Sequence, residues 1–272
     1  MTTDYSSYLA KKRLPHLWCP GCGHGIILKN LLLSMAELEI PREKALLACG
    51  IGCSGRAGDY VNFHRFQGTH GRTLAFATGI KMARPELKTI CFMGDGDCGA
   101  IGIGHLIHAA RRNVDVTAII PNNMNYGMTG GQFSPLTPVE SLSSTSRSGK
   151  AEPDIDLCHL AVVSGANYVA RTTAYHVIEM KKMFTRAISN KGFSLVEVIT
   201  PCPTYFGRYN SLGNAPEMMR WIREKTVPLQ KYEEMSVEEQ EKFFWRGKLV
   251  EKNKPDLYTL YWQQERGIDH RA

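Results

Sequence analysis

Apolar positions along the chain come in two patterns, and the two alternate. Residues 24–38 (HGIILKNLLLSMAEL) repeat at helical spacing and predict a helix with a dense apolar face. LLACGIG (46–52) is a short unbroken run and predicts a buried strand that runs into a glycine turn. Residues 70–83 (HGRTLAFATGIKMA) predict a helix of small residues stopped by Pro85. KTICFM (88–93) predicts an apolar strand ending in GDGD. Residues 101–112 suit a helix, and VDVTAII (114–120) a further buried strand. DIDLCHLAVVSGA (154–166) and TAYHVIEMKKMFTRAIS (173–189) predict helices. SLVEVIT (194–200) predicts a strand that closes on PCP.

Strands alternating with helices imply βαβ units. The expected fold is α/β, a doubly wound and mostly parallel sheet covered on both faces. In such sheets ligands bind beyond the carboxyl ends of the strands. After about residue 210 the pattern becomes polar. SVEEQEKFFWRGKLVEKNKP carries a capping box, Ser236 with Glu239, and many charges. The division expected is a main domain over 1–210 and a C-terminal extension over 211–272 that packs on that domain or on a partner.

Composition narrows the setting. Hydrophobic residues make up 43% and charged residues 22% of 272 positions, the balance of a globular chain. No window approaches 18 uninterrupted apolar residues, so no membrane span is expected. The N-terminal stretch MTTDYSSYLAKKRLPHLW lacks an apolar signal region, and a cytoplasmic location is expected. Eight cysteines in that setting point to thiols or metal ligands rather than disulfides. The net charge of +7 fits an acidic partner, an anionic cofactor or an ordinary surface. No nucleic-acid motif accompanies it, and no nucleic-acid partner is expected.

The strongest chemical signal is KTICFMGDGD (88–97) followed by VTAIIPNNMNYGMTGGQ (116–132). Asp95 and Asn123 lie 28 positions apart, about one βαβ unit, so their strand ends can be neighbours. A diphosphate held through magnesium needs oxygen ligands. Asp95 offers a carboxylate, Asn123 an amide oxygen and Asn125 a backbone carbonyl. Gly94 and Gly96 let the backbone come close to phosphates, and the glycines of YGMTGG can form an anion nest. GDG followed 25–30 residues later by NN resembles the thiamine diphosphate-binding motif.

A second signal is WCPGCGH (18–24), whose paired cysteines suit a metal clip, a redox dithiol or a turn. With the motifs above it carries a wider resemblance. WCPGCGHG, GIGCSGR, THGRTLAFATGIKMARPEL, GDGDCGAIGIGHLIHAARRNVD, NNMNYGMTGGQFSPLTP and TPCPTYFGRYN together resemble the β subunit of a 2-oxoacid:ferredoxin oxidoreductase. They cover about 18–210. The resemblance implies the diphosphate-domain fold of thiamine enzymes, thiamine diphosphate, Mg2+, one 4Fe-4S cluster, coenzyme A and a ferredoxin or ferredoxin-like subunit. It places the cluster on Cys19, Cys22, Cys53 and Cys202. A zinc clip needs the same four ligands, but zinc ribbons pair CxxC with a second CxxC, and here the last two cysteines are single. Cys49, Cys91, Cys98 and Cys158 are expected as buried thiols.

The resemblance also maps Ile51, Gly52, Cys53, Ser54 and His70 to thiamine contacts. It places Gly96, Asp97, Gly127, Met128 and Thr129 at the diphosphate. Arg56 is a candidate for the substrate carboxylate, since guanidinium grips carboxylates bidentately; a surface ion pair is its ordinary alternative. Arg56 and His70 are the candidate catalytic residues. His105 and His108, three apart, are expected to pack against the sheet. FGRYN (206–210) resembles members that use 2-oxoglutarate, and Arg208 is a candidate for a distal carboxylate or coenzyme A phosphate. The activity implied is oxidative decarboxylation of a 2-oxoacid, 2-oxoglutarate first, to an acyl-CoA with reduction of ferredoxin. It can also run in reverse as reductive carboxylation. Pyruvate- or branched-chain-specific enzymes of the same family are alternatives, as is a non-catalytic zinc- or cluster-bearing subunit. Only the diphosphate domain is legible, so a separate α subunit must supply the pyrimidine domain. A dimer of αβ heterodimers is expected.

Overall fold

The computed structural model describes residues 4–267. Its frame is an eight-stranded sheet formed by β1 (Ala45–Cys49), β2 (His64–Gln67), β3 (Lys88–Phe92), β4 (Thr117–Asn122), β5 (Tyr168–Thr173), β6 (Ser194–Ile199), β7 (Thr226–Pro228) and β8 (Phe244–Glu251). The strand order is β2-β1-β3-β4-β6-β5-β8-β7. All pairings from β2 across to β5 are parallel. β8 adds antiparallel to β5, and β7 then runs parallel to β8. The mostly parallel α/β sheet expected from the sequence is therefore present.

The helices are α1 (His24–Glu37), α2 (Thr73–Ala83), α3 (Ile103–Arg111), α4 (Leu157–Val163), α5 (Val177–Ser189), α6 (Ala215–Glu224), α7 (Leu229–Glu233), α8 (Val237–Gln240) and α9 (Leu257–Gly267). Two of them cover one face. Ile27, Leu28, Leu31, Leu32 and Met35 of α1 form a stripe at helical spacing, as do Met180, Met183, Phe184, Ala187 and Ile188 of α5. Both stripes join one core with Leu47, Ile90, Ile119 and Val196. On the other face Leu74 and Ala77 of α2, Leu106 and Ala109 of α3 and Leu157 of α4 pack against Cys91, Ala118 and Leu195. Successive strand residues thus feed opposite cores, which is why β1, β4, β5 and β6 are buried at every position.

β5 departs from the reading of the sequence. Tyr168–Thr173 falls between the two stretches expected as helices, and these shrink to Leu157–Val163 and Val177–Ser189. YVARTT is poorly marked as a buried strand because it carries an arginine and two threonines. Arg171 is buried because it is neutralised. Its Nε donates to Glu197 Oε2 at 2.8 Å, and Nη2 lies 2.9 Å from Asp156 Oδ2. Its guanidinium stacks 4.2 Å from the centre of the Trp245 ring. Glu197 Oε1 in turn accepts from Asn122 Nδ2 at 2.7 Å. This network ties β5, β6, β8 and α4 to the end of β4.

The segment after residue 210 joins the same sheet through β8. Its capping box is formed as read: Ser236 Oγ accepts from Glu239 N, and Ser236 N donates to Glu239 Oε2 at 3.0 Å. Met218 and Ile222 of α6 close a third apolar cluster with Met124, Ile199, Cys202 and Phe206. Among the described residues no helix is long and apolar enough to cross a membrane.

Removing one partner of a buried ion pair leaves the other uncompensated. Glu197→Ala should lower the unfolding free energy by about 3–5 kcal/mol, read from the urea midpoint at unchanged slope. A loss below about 1 kcal/mol, the range of a solvent-exposed pair, would contradict this role.

Candidate active site

Because β1, β3, β4 and β6 are parallel neighbours, their carboxyl ends lie along one edge. GIGCS follows β1, GDGD follows β3, NN ends β4 and PCP follows β6. Two adjoining cavities of about 190 Å3 each open there.

The first cavity is lined by Ile51, Gly52, Cys53, Ser54, His70, Gly94, Asp95, Gly96, Asp97, Asn123, Asn125, Tyr126, Gly127, Met128 and Thr129. The residues that the sequence assigned to thiamine, diphosphate or magnesium are in that set, except Gly130 and Gly131 of the glycine loop. Asp95, Asp97, Asn123 and Asn125 are nearly fully buried. Burial pushes the Asp95 carboxyl up to about 7, although Ser134 Oγ donates to its Oδ2 at 2.5 Å. Burial likewise holds Asp97 above the usual carboxylate range, against a hydrogen bond from Gly71 N and the nearby His70 ring. His70 Nδ1 lies 2.9 Å from Asp97 Oδ1, without the alignment of a hydrogen bond. Asp97 Oδ2 has no hydrogen-bond partner among the described residues.

Two buried carboxylates with an orphaned oxygen, in a cavity without a lysine or arginine, form a donor set for a hard cation. A diphosphate alone would be repelled there; a diphosphate carrying a divalent ion would not. The residues present therefore fit a magnesium-bridged diphosphate.

Tyr126 is the main residue here that the sequence reading missed. Its hydroxyl donates to Gly96 O at 3.2 Å, and its ring lies beside His70 with centroids 6.1 Å apart. A Cβ on Gly96 would sit 2.2 Å from that ring, so the absent side chain at 96 makes room for tyrosine as well as for a ligand. A tyrosine next to the NN pair and before a glycine loop was the available signal.

The second cavity is lined by all four candidate cluster cysteines, Cys19, Cys22, Cys53 and Cys202, with Trp18, His24, Arg56, Asn123, Gly127, Met128 and Tyr205 among their neighbours. Three separate loops converge to make it. Trp18 Nε1 donates to Cys53 O at 2.7 Å, and Gly23 N donates to Pro201 O at 3.4 Å. Cys22 N closes the CxxC turn onto Cys19 O at 3.0 Å. Gly21, at φ +80°, lies so close to α6 that a Cβ would meet Ala215 Cβ at 2.2 Å. The clustering itself disfavours charge: burial first, then the other thiols, pushes Cys22 up to about 12 and Cys53 up to about 11. Such thiols ionise when a metal takes the thiolates. Among the described residues no three His, Cys, Asp or Glu side chains converge on a single metal ion. Four thiols brought to one cavity are the ligand number that a four-cysteine metal centre needs.

The cavities share Cys53, Asn123, Gly127 and Met128. His24 also connects them. It is completely buried, with Nδ1 3.0 Å from Cys22 Sγ and Nε2 2.8 Å from Ser54 Oγ. Burial lowers it to about 4. The sequence reading had treated it only as the start of a helix.

Other candidates fall differently. Arg56 pairs with Asp59 at 3.1 Å, half exposed, on the rim of the cysteine cavity. It also borders a larger cavity of about 440 Å3 with Arg65 and Gln67. Arg208 lines a further cavity with Ser211, which meets the cysteine cavity at Pro203 and Thr204. His105 and His108 do not pack against the sheet: α3 turns Leu106, Ala109 and Ala110 inward. His108 is exposed, and His105 Nε2 lies 2.8 Å from Arg72 Nη1. Cys49, Cys91, Cys98 and Cys158 are buried as expected.

Known proteins resemble the chain over most of its length. The thiamine pyrophosphate enzyme family, through its C-terminal TPP binding domain, matches residues 50–198. The 2-oxoglutarate synthase subunit KorB of Methanocaldococcus jannaschii is 43% identical over 250 residues, 92% of this chain and 93% of that protein. The corresponding KorB of Archaeoglobus fulgidus is 48% identical over 205 residues, 75% of this chain and 76% of that one. A solved 2-oxoglutarate:ferredoxin oxidoreductase from Magnetococcus marinus, with 2-oxoglutarate, coenzyme A and succinyl-CoA bound, superposes with a TM-score of 0.86 at 31% identity. The match spans 99% of this chain and 92% of that one. With the thiamine-type cavity at the sheet edge and relatives alike over nearly their whole length, this chain belongs to the β subunits of the 2-oxoacid:ferredoxin oxidoreductases, within the thiamine pyrophosphate enzyme family.

Proposed function

We propose that this chain is the β subunit of a 2-oxoglutarate:ferredoxin oxidoreductase. It would convert 2-oxoglutarate and coenzyme A to succinyl-CoA and carbon dioxide with reduction of ferredoxin, or run the reverse carboxylation. The observation that carries the reading is the pair of adjoining cavities, one with a diphosphate-type donor set and one with four cysteines. Similarity to KorB subunits over 92% of the chain favours 2-oxoglutarate over pyruvate or branched-chain acids.

Asp95, the Asn123 amide and the Asn125 carbonyl would hold Mg2+. Gly96, Asp97, Gly127, Met128 and Thr129 would surround the diphosphate, and Ile51, Gly52, Cys53, Ser54 and His70 the thiamine rings. Cys19, Cys22, Cys53 and Cys202 would hold one 4Fe-4S cluster. Thiamine diphosphate, when bound, supplies the nucleophilic carbon and electron sink that decarboxylation requires, and the cluster supplies single-electron acceptance. The chain's own part is placement. Asn122, held by Glu197, shapes the turn through Met124 N, which donates to Asn122 Oδ1 at 3.0 Å. That turn presents Asn123 and Asn125 toward Asp95. His70 stands at the mouth beside Asp97, where it can orient a polar group of cofactor or substrate. Arg56, on the rim, would leave Asp59 to take a substrate carboxylate. Residues 1–210 carry both cavities, and α6 packs behind Met124 and Cys202. An α subunit would cover the open side and exclude water. Assembly as a dimer of αβ heterodimers in the cytoplasm, with ferredoxin as acceptor, completes the reading.

Asp95→Ala should weaken thiamine diphosphate binding by about a hundredfold or more, about 3 kcal/mol, measured calorimetrically with Mg2+ present. Unchanged affinity would remove Asp95 from the site. Cys202→Ser should purify anaerobically without its full four irons while keeping the parent's far-ultraviolet circular dichroism; full iron content contradicts the ligand set. The activity itself is tested with a viologen dye and a panel of 2-oxoacids. The isolated chain should be inactive, and adding its α subunit should restore activity with 2-oxoglutarate preferred. Comparable turnover by the chain alone, or preference for pyruvate, would overturn the corresponding part of the proposal.

A further inference from the structure

We infer that His24, locked by Ser54, is an N–H donor to Cys22 Sγ that raises the reduction potential of the cluster. The inference rests on Cys22 being a cluster ligand, as proposed above.

The geometry fixes the direction of the sulfur contact. His24 is fully buried, and its Nδ1 stands 3.0 Å from Cys22 Sγ. A metal-bound thiolate has no proton and can only accept, so Nδ1 must carry the hydrogen. Ser54 Oγ, 2.8 Å from Nε2, bonds the other side of the ring. The ring is therefore held toward the sulfur by a hydroxyl that lines the neighbouring cavity. Trp18 fixes the plane of the ring: the two rings stack with centroids 5.8 Å apart and planes 30° from parallel. Trp18 is itself anchored to Cys53 O. The ring thus cannot turn away without breaking contacts to two cysteine-bearing loops.

Hydrogen bonds to cluster sulfurs stabilise the additional negative charge of the reduced state and are one of the levers that set cluster potential. A donor buried away from water acts at low dielectric, where it is felt most strongly. His24 lines the cysteine cavity and not the diphosphate-type one. It is a positioning and tuning residue, and Ser54 is its orienter. The pair makes the four-cysteine site a better electron acceptor for chemistry in the adjoining cavity.

The test is an anaerobic redox titration of the full αβ complex, followed by electron paramagnetic resonance, with iron counted in every sample. His24→Leu should keep four irons and titrate at a more negative midpoint than the parent. His24→Asn, whose amide N–H can occupy the position of Nδ1, should return most of the shift. Ser54→Ala should move the midpoint in the same direction as His24→Leu, by less. Equal midpoints for the parent, His24→Leu and Ser54→Ala at full iron content would overturn the inference while leaving the cluster assignment intact. If His24→Leu loses iron, Ser54→Ala decides: a negative shift supports the inference and an unchanged midpoint overturns it. A parent complex without iron would overturn the cluster assignment, and this inference with it.

Discussion

The polarity of the parallel sheet is the constraint on which everything else depends. From β2 to β5 every neighbouring pair runs in the same direction, so every strand must discharge its chain at the same edge. Residues far apart in sequence, such as Cys53, Asp95, Asn123 and Cys202, become neighbours without any direct connection. The peptide groups freed at those ends have no further strand partners, and glycine-rich turns aim them at whatever binds there. The antiparallel β8 comes from the C-terminal segment, on the far side of β5, and leaves this edge unchanged.

That edge gathers groups that are costly to bury. Asp95 and Asp97 are almost fully buried with no lysine or arginine in their cavity, and four thiols line the next one. The sheet tolerates comparable polarity elsewhere by direct pairing, as Arg171 does with Glu197 and Asp156. At the edge no lysine or arginine offsets the two carboxylates, and the groups suit charges that a bound cofactor would bring. The two classes also meet. Glu197 belongs to the paired network, yet it holds Asn122 and so shapes the turn that presents Asn123. A structural ion pair in the sheet thereby sets geometry in the site.

Much of this could be read from the chain because the chemistry lies in short motifs at strand ends. GDGD, NN and CxxC state residue type and spacing together, and their glycines mark turns. What could not be read falls into two groups. β5 was hidden because YVARTT owes its burial to ion pairs and hydrogen bonds, and these partners lie on other elements. β8 was hidden because FWRGKLVE has the mixed polarity of a strand buried unevenly. His24 and Tyr126 were missed because their roles depend on contacts with Ser54 and Gly96, 30 positions away in each case. His105 and His108 were expected on the sheet side because helical spacing gives a period but not a phase; Leu106 and Ala109 set the phase.

The proposed function requires two cofactors in adjoining cavities of one chain. Anomalous diffraction from anaerobically grown crystals of the complex, collected across the iron and zinc absorption edges, measures this directly. The expected result is an iron signal enclosed by Cys19, Cys22, Cys53 and Cys202, with diphosphate density against Asp95 and Asn123 in the next cavity. A single zinc ion at the cysteines, or diphosphate density elsewhere on the chain, would contradict the account.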